Sequence, residues 1–154
     1  MSDFKKLHVW QRAHALSLCV DRVSKEIRGG RYASLRNQIF RAAASIPANI
    51  AEGSAKRGPR EFRRFLDIAL GSLAELSYAI LFAKELGYLS ESDWKELDEL
   101  RSVAGKLTWG FYRLIAATWR LASSFHHSII PSFHHSIIPS FHHSIILTLP
   151  DARS

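Results

Sequence analysis

The sequence predicts an all-α protein: an antiparallel up-down-up-down four-helix bundle followed by a low-complexity repeat tail. Three observations lead to this prediction. Apolar residues recur at spacings of three or four through residues 4–122, which is the period of an amphipathic helix. Glycine, proline and capping residues divide this stretch into four segments, and short connections favour antiparallel neighbours. Residues 124–147 instead repeat an octapeptide three times.

The first two helices are marked by separate apolar stripes. The first stripe ends before Gly29-Gly30 and contains Leu7, Trp10, Ala13, Leu16, Val20, Val23 and Ile27. Ser34 is expected to cap the second helix, because a serine hydroxyl accepts from an amide of the first turn. The second stripe contains Leu35, Ile39, Ala43, Ile46 and Ile50. Pro47 removes one backbone donor inside this helix and is expected to bend it near Ala43.

The third and fourth helices carry more apolar residues than one bundle needs. The third helix is expected to begin at Pro59, with Glu61 near its positive end, and to stop at Gly87. Its apolar residues surround most of its circumference, so we expect it to be covered on more than one side. Ser90 with Asp93 opens the fourth helix as a capping box. Three aromatic residues fall partly off the stripe of that helix: Trp109, Tyr112 and Trp119. Because large exposed apolar patches usually mark a partner surface, the surplus predicts self-association.

The composition excludes several classes of protein. With 154 residues, 47% hydrophobic and 23% charged, the chain is large enough for one domain with a core and too apolar for wholesale disorder. The single Cys19 excludes a disulfide framework and a Cys-rich zinc site, and is expected to be a packed apolar group. No apolar run approaches the about 20 residues of a membrane span, and no secretory signal is present. We therefore expect a cytoplasmic protein without a membrane partner.

The repeat tail is expected to lie outside the fold. Its period is too short and its copies too few for a solenoid, and Pro131 and Pro139 prevent a continuous helix. Adjacent histidines in an extended chain point to opposite faces, and no Cys, Asp or Glu lies among them, so we expect no metal site. These features place the bundle at residues 1–122 and a disordered tail without selected function at residues 123–154.

The positive charge is concentrated in the first half of the chain. The formal net charge is +7, and residues 1–64 contain 14 Lys and Arg against 5 Asp and Glu. Such asymmetry suggests a surface that faces a polyanion, although a solvated basic surface is the alternative. The densest group of candidate nucleic-acid contacts is Lys56, Arg57, Arg60, Arg63 and Arg64. A second group around the first interhelical turn contains Arg28, Arg31 and Arg36, together with Arg22 and Lys25.

The first basic group has the chemistry of a phosphate site. Arg60, Arg63 and Arg64 share a helix face, and the amides at the start of the third helix add partial positive charge. Arginine makes bidentate contacts with phosphate. Since no base-reading motif is present, we expect binding to the nucleic-acid backbone and a strong dependence on salt.

A polar face on the second helix carries the remaining candidate residues: Gln38, Arg41, Ser45, Asn49 and Glu52. Ser72 and Glu75 form a similar pair on the third helix. An acid/base role for Glu52 and Glu75 is poorly supported, because no nearby His, carboxylate-rich metal set or phosphate loop accompanies them. The sequence favours a non-enzymatic protein without cofactor or metal, whose polar residues bond between helices and to the backbone freed by Pro47. Arg41 with either glutamate is a candidate ion pair at a subunit boundary.

Several blocks of sequence occur in a recognisable order. They are Phe4-x-x-Leu7-x-Val9-Trp10-Gln11, then Gln38-Ile39-x-Arg41-Ala42-Ala43-x-Ser45-Ile46-Pro47-x-Asn49-Ile50-Ala51-Glu52-Gly53, then Glu61-Phe62-x-x-Phe65-Leu66-x-Ile68-Ala69-x-Gly71-Ser72-Leu73-x-Glu75-Leu76, and Leu86-Gly87-Tyr88-Leu89. Together they resemble the four-helix-bundle family named for the 23S ribosomal RNA intervening sequence. The resemblance covers about residues 4–120, whereas the repeat tail has no counterpart.

The resemblance implies a left-handed antiparallel bundle assembled as a homopentamer. It also implies a relationship to the accessory protein of diversity-generating retroelements, which works with a reverse transcriptase and nucleic acid. By that analogy, a reverse transcriptase is a candidate protein partner. Two hypotheses remain: a non-enzymatic pentamer that binds RNA or DNA through a basic face, and a structural scaffold or protein-interaction module with no direct nucleic-acid role.

Overall fold

The computed structural model describes residues 3–27 and 32–128, with side chains described as far as residue 120. These residues form a short 3₁₀ helix (Phe4–Lys6) and four α-helices: α1 (His8–Ser24), α2 (Ala33–Ser54), α3 (Pro59–Glu85) and α4 (Glu91–Ser128). The described parts of the chain contain no strand. Each helix packs against the next, and α4 returns to pack against α1. The predicted all-α four-helix bundle is confirmed.

The core of the bundle follows the predicted apolar stripes. The largest fully buried side chains come from all four helices and the segment after α1, and include Leu16, Ile27, Ile46, Ile50, Leu66, Leu76, Ile80 and Leu97. Burial of these apolar side chains supplies the main favourable free energy of folding. The stripes therefore determine which side of each helix faces its neighbours.

The connection between α1 and α2 differs from the sequence prediction. The α-helix α1 ends at Ser24, whereas the predicted stop at Gly29-Gly30 lies outside the described residues. Helix α2 begins at Ala33, with Tyr32 as its N-cap, so that Ser34 is an exposed residue of the first turn. The prediction that Ser34 caps this helix is wrong. The Tyr32 ring, at the N-cap of α2, packs against Tyr88 with 4.2 Å between centroids.

The ends of α3 and the start of α4 match their sequence signals. Pro59 is the first residue of α3. At the other end Gly87 has a φ of +77°, its N–H donates to the Lys84 carbonyl, and the Tyr88 N–H donates to the Ala83 carbonyl. This pair of hydrogen bonds is a Schellman motif. The Ser90 hydroxyl accepts from the Asp93 amide at 3.1 Å and donates to its carboxylate, which confirms the predicted cap.

Helix α4 continues past the boundary expected for the bundle. It extends to Ser128 and so includes the beginning of the first octapeptide copy. No glycine or proline occurs between residue 122 and Pro131, so the sequence offers no signal for stopping the helix there. The expected disorder of the rest of the tail concerns residues outside the described part of the chain.

Helix α3 is long and apolar enough to cross a membrane by length and composition alone. The sequence analysis did not anticipate this, because Asp67 and Glu75 interrupt the apolar run within α3 and charged residues flank it at both ends. Leu66, Leu73 and Leu76 of this helix are buried in the bundle core. A long apolar helix is also what the core of a helical bundle requires.

Pro47 leaves the Ala43 carbonyl without its intrahelical donor. Ser17 of α1 supplies a replacement, since its hydroxyl lies 2.7 Å from that carbonyl and 3.0 Å from the Ala13 carbonyl. The hydroxyl has one proton, and the shorter contact is the better hydrogen bond. We expected the polar residues of α2 and α3 to serve this backbone group. The donor instead comes from the neighbouring helix, which ties α1 to α2 at the proline.

Replacing Ser17 with Ala is expected to lower the free energy of unfolding by about 1–3 kcal/mol, because the buried Ala43 carbonyl loses its donor. Pro47→Ala restores an amide that can serve this carbonyl. Ser17→Ala should therefore cost less in the Pro47→Ala background. Urea unfolding of the four chains of this double-mutant cycle, at one protein concentration, measures the difference. Equal costs in both backgrounds would contradict the assigned hydrogen bond.

Candidate functional site

The turn between α2 and α3 carries a cluster of cations at one end of the bundle. We call the basic cluster Lys56, Arg57, Arg60, Arg63 and Arg64. All of its members are exposed except Arg63, which is half-buried. Glu61 is the acidic residue in the first turn of α3. The cluster therefore has a strong positive surplus on a surface that solvent reaches.

Phe62 fixes the position of this cluster. Its side chain is 4% exposed and makes an edge-to-face contact with Phe111 of α4, with 5.3 Å between ring centroids. On the other side, a Cβ built on Gly53 of α2 would lie 2.6 Å from the Phe62 ring and 2.8 Å from the Cβ of Phe65. Only glycine allows this approach. Because Phe62 points inward, its neighbours Arg60 and Arg64 point outward.

The members of the basic cluster differ in whether their side chains already have a partner within the chain. Lys56 pairs with Glu52 at 3.0 Å and lies 5.1 Å from the centre of the Phe65 ring. The side chains of Arg57, Arg60 and Arg64 make no ion pair or hydrogen bond with the described residues. Their charges are available to an external anion.

Arg63 is held differently from the other arginines. Its Nε is buried and has no hydrogen-bond partner in the described part of the chain. The side-chain stem therefore packs against the protein, which restricts the directions in which the guanidinium can point.

The start of α3 adds positive potential to the cluster. Its N-cap, Gly58, has a φ of +93° and no side chain that could cap the helix, so the first amides receive no side-chain acceptor. Unpaired amides at a helix N-terminus carry partial positive charge and favour anions nearby. Backbone and side chains thus present the same sign of charge at this end.

The described cations of the second predicted group already have partners within the chain. Arg22 pairs with Glu96 and Asp93 of α4, and its hydrogen bond to Glu96 raises the pKa of Arg22 above its ordinary value. Lys25 pairs with Asp21 at 2.7 Å, and Arg36 donates to the Ile27 carbonyl at 3.4 Å. Arg28 and Arg31 lie outside the described residues. The described cations of this group connect parts of the chain to one another.

The polar residues shared by α2 and α3 form a hydrogen-bonded seam. The hydroxyls of Ser45 and Ser72 lie 2.9 Å apart, and the Asn49 amide donates to Ser45 at 2.8 and 3.0 Å. Gln38 donates to Glu75 at 3.4 Å near one end of the seam. These contacts agree with a structural role for the polar face, because they connect two helices or satisfy groups within them.

Arg41 and the two glutamates do not form an active-site arrangement within one chain. Arg41 is exposed and pairs with neither glutamate, since Glu52 pairs with Lys56 and Glu75 accepts from Gln38. Both glutamates are exposed. Among the described residues, no group of three or more His, Cys, Asp and Glu is placed to hold a metal ion.

A large apolar surface remains uncovered beside the polar seam. Exposed side chains on α2 and α3 include Phe40, Ile68, Tyr78, Leu81 and Phe82, followed by Leu86 in the next turn. Between the helices lies an open groove of about 440 Å³, lined in part by Tyr32, Leu35 and Leu86. The sequence predicted that α3 would be covered on more than one side. In a single chain, one side of α3 keeps exposed apolar side chains.

Two stacked aromatic pairs stand on the surface of the bundle. The rings of Tyr78 and Phe82 are 6.0 Å apart and almost parallel, and those of Trp109 and Tyr112 are 5.4 Å apart and 12° from parallel. Sequence reasoning did not select Trp109 as a site residue. Its position off the apolar stripe of α4 was the available signal, because an aromatic residue outside a stripe is exposed.

Cys19 behaves as the small packed residue that the sequence predicts. It is 7% exposed within the core, and burial together with the Glu96 carboxylate raises the pKa of its thiol. Because the thiolate is the reactive form, a raised pKa disfavours reactivity at neutral pH.

Fold and surface together define a helical-bundle protein with one basic end, an exposed apolar face and no assembled catalytic group among the described residues. The family model described as 23S rRNA-intervening sequence protein matches residues 5–109, and the chain belongs to this family. No protein of curated function matches it. Four chains of known structure are similar.

One of these structures is a protein of unknown function from the S23 ribosomal protein family of Bacteroides thetaiotaomicron. It shares 20% identity with this chain and has a TM-score of 0.63. The match covers 68% of this chain and 97% of that one. At this identity the likeness shows the fold. The relationship to the retroelement accessory protein stays a prediction.

Gly53→Ala is expected to lower the free energy of unfolding by about 1–3 kcal/mol, because the new methyl overlaps Phe62 and Phe65. Gly110→Ala is the matched control, since a Cβ at this exposed position of α4 meets nothing within 4 Å and lies outside the apolar surface of α2 and α3. The control should gain up to about 1 kcal/mol from helix propensity. Urea unfolding measures both. Equal stability of the two variants would contradict the close approach at Gly53.

Proposed function

We propose that this protein is a non-enzymatic homopentamer that binds the phosphate backbone of RNA or DNA through its basic cluster. The observation that carries the proposal is that Arg57, Arg60 and Arg64 are exposed and unpaired with the described residues. An arginine without an acidic partner offers its full charge and its planar set of donors to phosphate. The uncapped start of α3 adds to the same field.

The contrast between the two basic groups supports this choice of surface. Arg22 and Lys25 already have carboxylate partners, so an external phosphate would have to compete with an existing ion pair. Arg60 and Arg64 face no such competition. Binding through side chains on a turn and a helix start neutralises phosphates without reading bases, so we expect little sequence preference and strong salt dependence.

Self-association is supported by the exposed apolar surface of α2 and α3. Tyr78 on α3 is 65% exposed, and Phe40 on α2 is 46% exposed. A second copy of the chain would remove this apolar area from water, which favours association. Five copies would present five basic clusters, and several weak contacts with one long polyanion add up to useful affinity.

A structural scaffold with a protein partner is the second candidate function. The groove beside Tyr78 and Phe82 favours it, because an open apolar groove also suits a helix of a different protein. In that case the basic cluster would be a solvated surface. Nucleic-acid binding and chain mass, measured together, distinguish the two candidates.

Replacing Arg57, Arg60 and Arg64 together with Ala is expected to reduce the affinity for RNA at low salt by about tenfold or more. If each arginine neutralises one phosphate, the slope of log K against log salt becomes less negative by about 2–3. Fluorescence anisotropy with a labelled structured RNA over a salt series measures both quantities. Arg63 is left in place because its stem packs against the protein.

The matched control removes the same charge elsewhere, through Lys5→Ala, Lys6→Ala and Lys95→Ala. All three lysines are exposed and unpaired with the described residues. The control should keep most of the affinity, since it changes net charge but leaves the basic cluster intact. If both triple variants lose affinity equally, net charge drives binding and the assigned surface is wrong.

The proposal predicts that the protein is a pentamer in solution. Light scattering of the full chain should give about 87 kDa, five times the 17.4 kDa of one chain, at low and at high salt. Tyr78→Ser with Phe82→Ser should lower that mass, because the substitutions remove exposed apolar area from the proposed contact. A wild-type monomer would contradict the self-association argument.

A further inference from the structure

We infer that Trp109, supported by Tyr112 and flanked by Lys106 and Arg113, is a base-stacking platform that makes single-stranded nucleic acid the preferred ligand. The inference rests on the proposed function and deepens it by naming the class of nucleic acid. Unpaired bases have open faces that can stack on an aromatic ring, whereas the bases of a duplex are already stacked.

The two rings have the geometry of a supported platform. Trp109 is 52% exposed, although a large apolar side chain gains most from burial. Tyr112 is half-buried and stacks on it with 5.4 Å between centroids, so one face of the indole is braced and solvent reaches much of the rest. Gly105 lies one turn earlier, and the space beside it is open. A flat base has room to approach the indole from this side.

The residues that surround Trp109 on the helix are cationic. Lys106 lies three residues before it and Arg113 four residues after it, which makes both its neighbours on the helix surface. Both are exposed and pair with none of the described residues. An aromatic face between two cations matches a base attached to its phosphates, which is the usual composition of single-strand binding surfaces.

The platform lies at the same level of the bundle as the basic cluster. Phe62 and Phe111 are in contact, so they lie at the same height along the bundle. Arg63 is the residue after Phe62, and Tyr112 is the residue after Phe111. Since one residue advances a helix by about 1.5 Å, these neighbours lie within one turn of that contact.

The platform and Arg63 also share one flank of the α3–α4 pair. Arg101 of α4 donates to Ser77 of α3 at 3.3 Å, which identifies the sides on which these helices meet. On α3, Arg63 lies two heptads before Ser77 and therefore on nearly the same side of that helix. On α4, Tyr112 lies three turns after Arg101 and therefore on nearly the same side as Arg101. A strand bound to the basic cluster can therefore continue onto Trp109.

The second aromatic pair shows what the platform requires. Tyr78 and Phe82 also stack in the open, but Glu75 and Leu81 stand three residues from Tyr78. A carboxylate repels phosphate, and no cation lies three or four residues from Tyr78. Tyr78 thus provides a matched control: an exposed stacked ring without the charge.

The test compares single-stranded and duplex DNA on the full chain by fluorescence anisotropy. The probes are a labelled oligo(dT) of about 20 nucleotides and its duplex with oligo(dA). Trp109→Leu keeps an apolar side chain on a helix but removes the ring, and should weaken oligo(dT) binding by about tenfold. Duplex affinity should stay within about twofold. Trp109→Phe should retain most of the single-strand affinity. Tyr78→Leu should change the oligo(dT) and duplex affinities by the same factor, because Tyr78 lies on the proposed contact between copies and has no cation three or four residues away.

Three results would overturn the inference. They are unchanged oligo(dT) affinity of Trp109→Leu, equal losses for oligo(dT) and duplex, and an altered chain mass that assigns Trp109 to a contact between copies. Failure of the proposed function looks different, because the variant lacking Arg57, Arg60 and Arg64 would then bind both probes as the wild type does. Circular dichroism checks that every variant keeps its helices.

Discussion

The insertion of Phe62 between Gly53 and Phe111 determines the geometry of the basic end. The contact brings the end of α2, the start of α3 and the last half of α4 to one place. Because the ring occupies the inward direction, Arg60 and Arg64, two residues before and two residues after it, face solvent. The positive surface therefore results from core packing: a buried aromatic residue orients the exposed cations.

The two groups of cations consist of the same residue types, but one group pairs with carboxylates of the chain and the other does not. Arg22 of α1 pairs with two carboxylates of α4, so its charge is already neutralised by partners within the chain. The side chains of Arg60 and Arg64 form no ion pair with the described residues, so their charges remain available to an external anion. The difference follows from where the acidic residues fall, since α4 begins with Glu91 and Asp93 and has more carboxylates in its next two turns. Net charge per segment identified the basic half of the chain but not which of its cations are free.

The parts of the fold that depend on neighbours in sequence could be predicted. Pro59 begins α3, Gly87 adopts a positive φ at its end, and Ser90 caps α4, because each of these residues acts on backbone groups within a few positions. The parts that depend on distant contacts could not. Ser34 is a suitable cap, yet the N-cap of α2 is Tyr32, whose ring packs on Tyr88 far along the chain. The donor to the carbonyl freed by proline came from α1, and no local pattern marks Ser17 for that role.

The length of α4 has a consequence for how this protein tolerates change. Ala116 is the last buried residue among the described side chains, whereas the helix continues to Ser128, about 18 Å further along its axis. Ala116 precedes the first octapeptide copy, which begins at Ser124, by eight residues. A duplication in the coding sequence after that point adds residues beyond the last core position and leaves every buried contact described here in place. The three nearly identical copies therefore add length at a place where the buried contacts of the described residues do not depend on it.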